Sequence, residues 1–259
     1  MPSLLECSDV TKAYGGLLAV NELSFAVEPG EIFAIIGPNG AGKTTLFDVV
    51  SGLAPATGGT IVFAGEEIQD LHPHEVCLRG LARTFQTTVS FATQTVLENA
   101  LVGSCFGRRN GRSSRLRFGD ESVNAAVDAL EVCGLLDKQA RLAATLPNLD
   151  RKRLMLATAL ATDPKLLLLD EPVGGLNAAE RAEMIALIRR VNESGVTVLM
   201  IEHVMKAVQA LARRMLVLHH GRKIAEGAPG DVLRDARVVE VYLGGAGAGL
   251  ATVATGEAG

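Results

Sequence analysis

Nine consecutive residues carry the clearest chemistry in this chain: Gly37, Pro38, Asn39, Gly40, Ala41, Gly42, Lys43, Thr44 and Thr45. Gly37, Gly40 and Gly42 allow backbone turns that a Cβ would hinder, so the intervening N–H groups can converge on phosphate oxygens. Lys43 supplies a mobile cation for the β- and γ-phosphates, and Thr44 a hydroxyl for Mg²⁺. A helix starting at Lys43 adds positive partial charge from its N-terminus. The chemistry is that of a loop cradling a nucleoside triphosphate, ATP. The bland alternative, a glycine-rich turn with an exposed lysine, does not require a strand before it and a helix after it, and both are expected here.

Other candidates fall at the ends of expected strands. Asp170 ends the apolar run Leu166–Leu169 and is placed to hold Mg²⁺, directly or through water. Glu171, one residue on, is placed to accept a proton from an attacking water. Without the loop, the two would read as solvated acids before Pro172. His203 follows the run Val196–Ile201 and can hydrogen-bond a γ-phosphate oxygen, although a helix-starting histidine of no consequence looks the same. Gln86 follows Arg83-Thr84-Phe85, and its amide can reach the metal or the attacking water.

These residues need a scaffold that brings strand ends together. Ile32–Ile36 reads as a buried strand feeding the loop, and Leu166–Leu169 as a central parallel strand. Asn177 with Glu180 forms a capping box for a helix that Gly195 stops. Further alternation of strand and helix through Val196–Ile201, Val204–Arg213 and Met215–His219 predicts an α/β fold with a mainly parallel sheet. Residues 5–36 read as strands, and about 87–163 as a mainly helical lobe inserted in the core. That lobe includes a basic stretch with Arg108, Arg109, Arg112, Arg115 and Arg117. It reads as a solvated loop or as a contact for a partner protein or anionic lipid at a membrane face. Residues 1–243 are expected to form the domain and 244–259 a flexible Gly/Ala-rich tail.

Bulk properties set limits. The 259 residues are 48% hydrophobic but only 4% aromatic, so the core must be mostly aliphatic. A net charge of −4 speaks against a nucleic-acid partner. Cys7, Cys77, Cys105 and Cys133 show no metal-binding spacing and read as free thiols of a reducing compartment. No segment reaches the ~18 apolar residues of a membrane span. A cytoplasmic protein is expected, with any membrane association through a partner.

In this order the motifs resemble the ATP-binding cassette ATPases over residues 5–243. Gly37–Thr44 is similar to the Walker A loop, LLLLDEP at 166–172 to Walker B with its catalytic glutamate, Gln86 to the Q-loop glutamine and His203 to the switch histidine. Tyr14 matches the aromatic that stacks on adenine. GGLN at 174–177 corresponds to the D-loop, with Asn177 where Asp is usual. GLARTFQ (80–86), TVLENALVG (95–103), IEHVMKAV (201–208), HGRKIAEGAP (220–229) and VVEVYLG (238–244) resemble the branch importing branched-chain and other hydrophobic amino acids, or urea and short amides. The resemblance implies a phosphate-loop NTPase core with an N-terminal antiparallel β-subdomain and an inserted helical subdomain. It also implies integral-membrane permeases, a second ATPase subunit, an indirectly acting solute-binding protein, and a peripheral position on the cytoplasmic face. A soluble cassette protein acting outside transport, or a nucleotide-dependent regulatory module with weak hydrolysis, are the alternatives.

One motif departs. Where the family carries Leu-Ser-Gly-Gly-Gln or Leu-Ser-Tyr-Gly-Gln, this chain has Leu146, Pro147, Asn148, Leu149 and Asp150. In the family this stretch closes over ATP held by the facing subunit. Leu149 is expected to obstruct backbone approach and Asp150 to repel phosphate, unless Asp150 is simply a helix N-cap.

Overall fold

The computed structural model describes residues 2–86, 90–107 and 119–243. The arginine-rich stretch and the Gly/Ala-rich tail lie outside the described residues. The elements run β1 (Leu5–Tyr14), β2 (Leu17–Val27), β3 (Ile32–Ile36), α1 (Lys43–Val50), β4 (Gly58–Phe63), β5 (Glu66–Glu67), α2 (Pro73–Leu78) and β6 (Leu81–Arg83). There follow α3 (Val96–Phe106), α4 (Asp120–Val132), α5 (Asn148–Leu160), β7 (Leu166–Asp170), α6 (Ala178–Glu193), β8 (Thr197–Ile201) and α7 (Met205–Leu211). The chain ends in β9 (Arg214–His219), β10 (Arg222–Gly227), α8 (Pro229–Val232) and α9 (Ala236–Leu243).

Two sheets form. The first is antiparallel, in the order β2-β1-β4-β5, and the second has six strands in the order β10-β9-β3-β8-β7-β6. Within the second, β9, β3, β8, β7 and β6 are parallel, and β10 joins antiparallel to β9. The parallel strands therefore end along one edge. Ligands in open α/β sheets bind at that edge.

The apolar runs have a simple cause. Each central strand is buried on both faces, and alternate residues serve different cores. Ile32, Ala34 and Ile36 of β3, Leu167 and Leu169 of β7, and Val198 and Met200 of β8 face a core shared with α3 to α7. Phe33 and Ile35, Leu166 and Leu168, and Leu199 and Ile201 face a second core shared with the antiparallel sheet and α1. The helices α3, α4 and α5 lie between β6 and β7 in the chain and pack on one another.

Most expected elements occur, with shifts at their ends. The short α2, opened by a His72–Glu75 capping box with Pro73 as its first residue, lies in a stretch without a clear sequence period. α5 begins at Asn148, earlier than the helix expected after Asp150. Cys7 and Cys133 are buried, Cys77 and Cys105 half-buried, and all four are free thiols. Burial pushes the Cys133 thiol up to about 12, which makes it unreactive. Among the described residues no helix is long and apolar enough to cross a membrane.

Candidate nucleotide site

The phosphate loop leaves β3 and enters α1. Gly37, at φ 153°, has Leu218 of β9 against its α-carbon, and Gly42, at φ 103°, has the Ala19 carbonyl of β2 there. A Cβ at either position would collide with backbone. Gly42 is also the N-cap of α1 and offers no side-chain cap. The first amide groups of α1 are thus not engaged by a capping side chain, which suits an anion. The Lys43 ammonium donates to the carbonyls of Gly37 at 2.7 Å and Pro38 at 3.0 Å. Burial lowers its pKa, while Glu171 and Asp170 raise it. Asn39, Gly40 and Thr44 are exposed, Pro38 and Thr45 half-buried, and Ala41 buried.

Three of the expected catalytic side chains meet at one carboxylate. The Gln86 amide donates to Glu171 Oε2 at 2.9 Å, and His203 Nδ1 lies 3.5 Å from Glu171 Oε1. Gln86 follows β6, Glu171 follows β7 and His203 lies beyond β8, so parallel pairing brings together Gln86 and Glu171, 85 residues apart in the chain. Glu171 adopts φ 49°, a left-handed conformation that is strained for a side chain of this size. Its backbone is held from three sides. Its N–H donates to Ile201 at 3.0 Å, and its carbonyl accepts from Gly174 at 3.1 Å and from the Lys152 ammonium of α5 at 3.1 Å.

Asp170 is buried at the end of β7, with Oδ2 3.5 Å from Arg83 Nη2. Burial raises its pKa, Arg83 opposes this, and Glu171 adds to the rise. Its carboxylate, the Thr44 hydroxyl and the Gln86 amide are hard oxygen donors, too few for a closed metal cage. That set fits Mg²⁺, which takes one or two protein ligands together with phosphate oxygens and water.

Tyr14 stands apart from this group. It is 50% exposed at the end of β1, with the Lys12 ammonium 4.8 Å from its ring centroid. It pairs with Leu17 across the hairpin whose second strand places Ala19 against Gly42.

Arg83, Lys152 and Glu202 were not evident as site residues. Glu202 is buried and accepts from the N–H groups of Val173 at 2.9 Å, His203 at 3.2 Å and Val204 at 3.3 Å. It thereby staples the turn after β7 to the turn after β8. An acid directly before His203 was the only signal, and adjacency alone does not reveal burial.

The altered stretch behaves differently from either expectation. Pro147 occupies the N-cap position of α5, so Asp150 is no cap; it lies within the first turn. Its carboxylate is only 5% exposed and is paired with Lys138 at 2.7 Å and Arg153 at 3.3 Å. Leu149 is buried in the core as well. Neither side chain is presented at the surface, so the expected repulsion by Asp150 does not stand. Pro147, exposed, lacks both a hydroxyl and an N–H, while Asn148 donates to Gly175 in the turn before α6 at 3.1 Å. Restoring the family glutamine by Asp150→Gln is accordingly expected to take the carboxylate from Lys138 and to leave Arg153 with Glu183 alone. It should cost ~1–3 kcal/mol of stability, read as a lower urea midpoint. An unchanged midpoint would show that the two ion pairs contribute nothing.

Fold and site together define a phosphate-loop ATPase of the α/β class. The chain belongs to the ABC transporter family, whose pattern matches residues 20–174. A second pattern, described as branched-chain amino acid ATP-binding cassette transporter, matches residues 222–248. The chain is 38% identical over 249 residues to LivG of Escherichia coli (strain K12), a high-affinity branched-chain amino acid transport ATP-binding protein, covering 93% of this chain and 98% of LivG. BraF of Pseudomonas aeruginosa, with the same description, is also 38% identical over 249 residues, covering 93% and 98% of the two chains. LptB of Escherichia coli (strain K12), a lipopolysaccharide export system ATP-binding protein, is 32% identical over 240 residues, covering 93% of this chain and 97% of LptB. The crystal structure of the ATP-binding cassette MJ1267 in its ADP conformation superposes with a TM-score of 0.86 at 31% identity, covering 94% of this chain and all of that one.

Proposed function

We propose that this chain is the Mg²⁺-dependent ATP-hydrolysing subunit of a membrane importer for branched-chain amino acids or related small solutes. The convergence of Gln86 and His203 on the Glu171 carboxylate carries the ATPase part of this reading. The likeness to LivG and BraF supports the solute class. LptB, nearly as similar, serves export, so the solute is specified by the permeases and not by the cassette.

In this reading Gly37–Thr45 hold the phosphates, Tyr14 stacks on adenine, and Thr44, Asp170 and Gln86 hold Mg²⁺. Bound with the nucleotide, the cation neutralises charge on the β- and γ-phosphates. Glu171 takes the proton of the attacking water and His203 steadies a γ-phosphate oxygen. The permease docks where α2, β6, α3 and α5 leave an apolar groove of about 350 Å³, lined by Leu53, Phe85, Val102, Phe106 and Met155. Leu53, Phe85 and Phe106 are 50%, 42% and 73% exposed along this groove, which gives a partner apolar side chains to cover. The chain lies on the cytoplasmic face, held there by the permeases.

The stretch at 146–150 bears on the second ATPase subunit. Pro147 removes the hydroxyl and amide that a family signature offers to ATP across the interface. A homodimer would carry that defect twice. A heterodimer with a subunit bearing an intact signature would have one competent site, built on this chain's phosphate loop. The test is reconstitution with the permease pair in vesicles. ATP-driven leucine uptake should require both a second ATPase and this one, and ATP turnover by this chain alone should be several-fold lower. Equal turnover alone would refute the pairing. Failure to associate with any permease would favour the soluble cassette.

A further inference from the structure

Arg83 ends β6, and its side chain is only 6% exposed. Nη1 donates to Asp48 Oδ1 at 2.7 Å and to Ser51 Oγ at 3.1 Å, at the C-terminal end of α1 and just past it. Nη2 lies 3.5 Å from Asp170 Oδ2. The guanidinium carbon sits 5.6 Å from the Phe47 ring centroid and 5.1 Å from that of Phe85. Nε is buried and has no hydrogen-bond partner among the described residues. A buried guanidinium that leaves a donor unmet is an expensive way to fill space. Stability alone does not account for it.

Its geometry does. α1 begins with Lys43 and Thr44 and carries Asp48 one turn later; β7 ends in Asp170. One planar cation spans the two acids and so fixes α1 against β7. We infer that Arg83 is a positioning residue for the metal site: by holding Asp48 and Asp170 at once, it sets the Thr44 hydroxyl and the Asp170 carboxylate at the separation that a shared divalent cation needs. Lysine cannot replace it, because a single ammonium lacks the fork that reaches two acids in fixed directions. The inference rests on the reading of Asp170 as the metal carboxylate.

The probe is Mn²⁺, titrated by electron paramagnetic resonance into the full chain saturated with a non-hydrolysable ATP analogue. Arg83→Lys is expected to raise the half-saturating Mn²⁺ concentration about tenfold, the effect usual for removing a partner of a metal ligand. Affinity for the analogue without metal should fall less than affinity for Mn²⁺, because Arg83, Asp48 and Asp170 themselves lie outside Gly37–Thr45 and make no direct contact with that loop's phosphate-facing amides. A purely structural role would lower the unfolding midpoint and leave Mn²⁺ saturation unchanged in the folded fraction; that result overturns the inference. Should Arg83→Lys fail to fold, Asp48→Ala keeps the guanidinium and removes the acceptor that anchors it on α1, leaving only Ser51 just past the helix. A rise of several-fold in half-saturating Mn²⁺ supports the inference, and no rise overturns it. Asp170→Asn separates the two levels. If it leaves Mn²⁺ binding intact, the metal assignment itself falls.

Discussion

Replacing Glu171 with glutamine is expected to lower steady-state ATP turnover by about 10²–10⁴-fold while ATP still binds. The substitution keeps the side-chain length and the branching, so the left-handed backbone at Glu171 and its bonds to Ile201, Gly174 and Lys152 are untouched. The contact with Gln86 survives as an amide pair. What disappears is the ability to accept a proton and one negative charge near Lys43, which Glu171 currently stabilises as a cation. A nucleotide tetra-anion then meets less repulsion, so affinity should hold or rise while chemistry stalls. Phosphate release and filter-retained ATP, measured side by side on the assembled protein, separate these two effects. Turnover within about threefold of the unmodified chain would place the base elsewhere.

Gly42→Ala should abolish useful nucleotide binding by a different route. At φ 103° an L side chain is strained by about 1–3 kcal/mol. The added methyl also meets the Ala19 carbonyl, part of a backbone that cannot rotate away. In the absence of nucleotide the loop can shift to escape the collision. Binding demands the original shape, so the strain reappears in the binding equilibrium. Three kcal/mol corresponds to roughly a hundredfold loss of affinity. Calorimetric titration with ATP at fixed Mg²⁺ reads it directly. An affinity within twofold would mean that β2 yields, and that the loop is less tightly fitted than its contacts with Ala19 and Leu218 suggest.

The difference between what was legible in the sequence and what was not is one of range. The phosphate loop, the strand before it, the acid pair at the end of β7 and the Asn177–Glu180 capping box are patterns a few residues long, and each takes the local structure expected of it. The convergence of Gln86, Glu171 and His203 followed from strand ends plus parallel pairing, and needed only the fold class. Arg83 was invisible, since its partners Asp48 and Asp170 lie 35 residues before and far after it in the chain, with no local period connecting them. Lys152 read as one more polar residue of a helix. Asp150 misled because an acid near a helix start is the usual sign of a cap. Proline took the cap position instead, and the acid turned inward to two cations supplied by a different turn and by its own helix.

The two apolar layers on either side of the parallel sheet also divide mechanical labour. Among the described residues, the layer containing α1 includes no side chain from α3, α4 or α5. Those helices are seated entirely on the opposite layer. A tilt of α3–α5 thus shears one interface and spares the one that shapes the phosphate cradle. Among the described residues, α5 also reaches the turn after β7 through hydrogen bonds from Lys152 to the Glu171 carbonyl and from Asn148 to Gly175. A load on α5 would therefore pull directly on the turn that carries the glutamate.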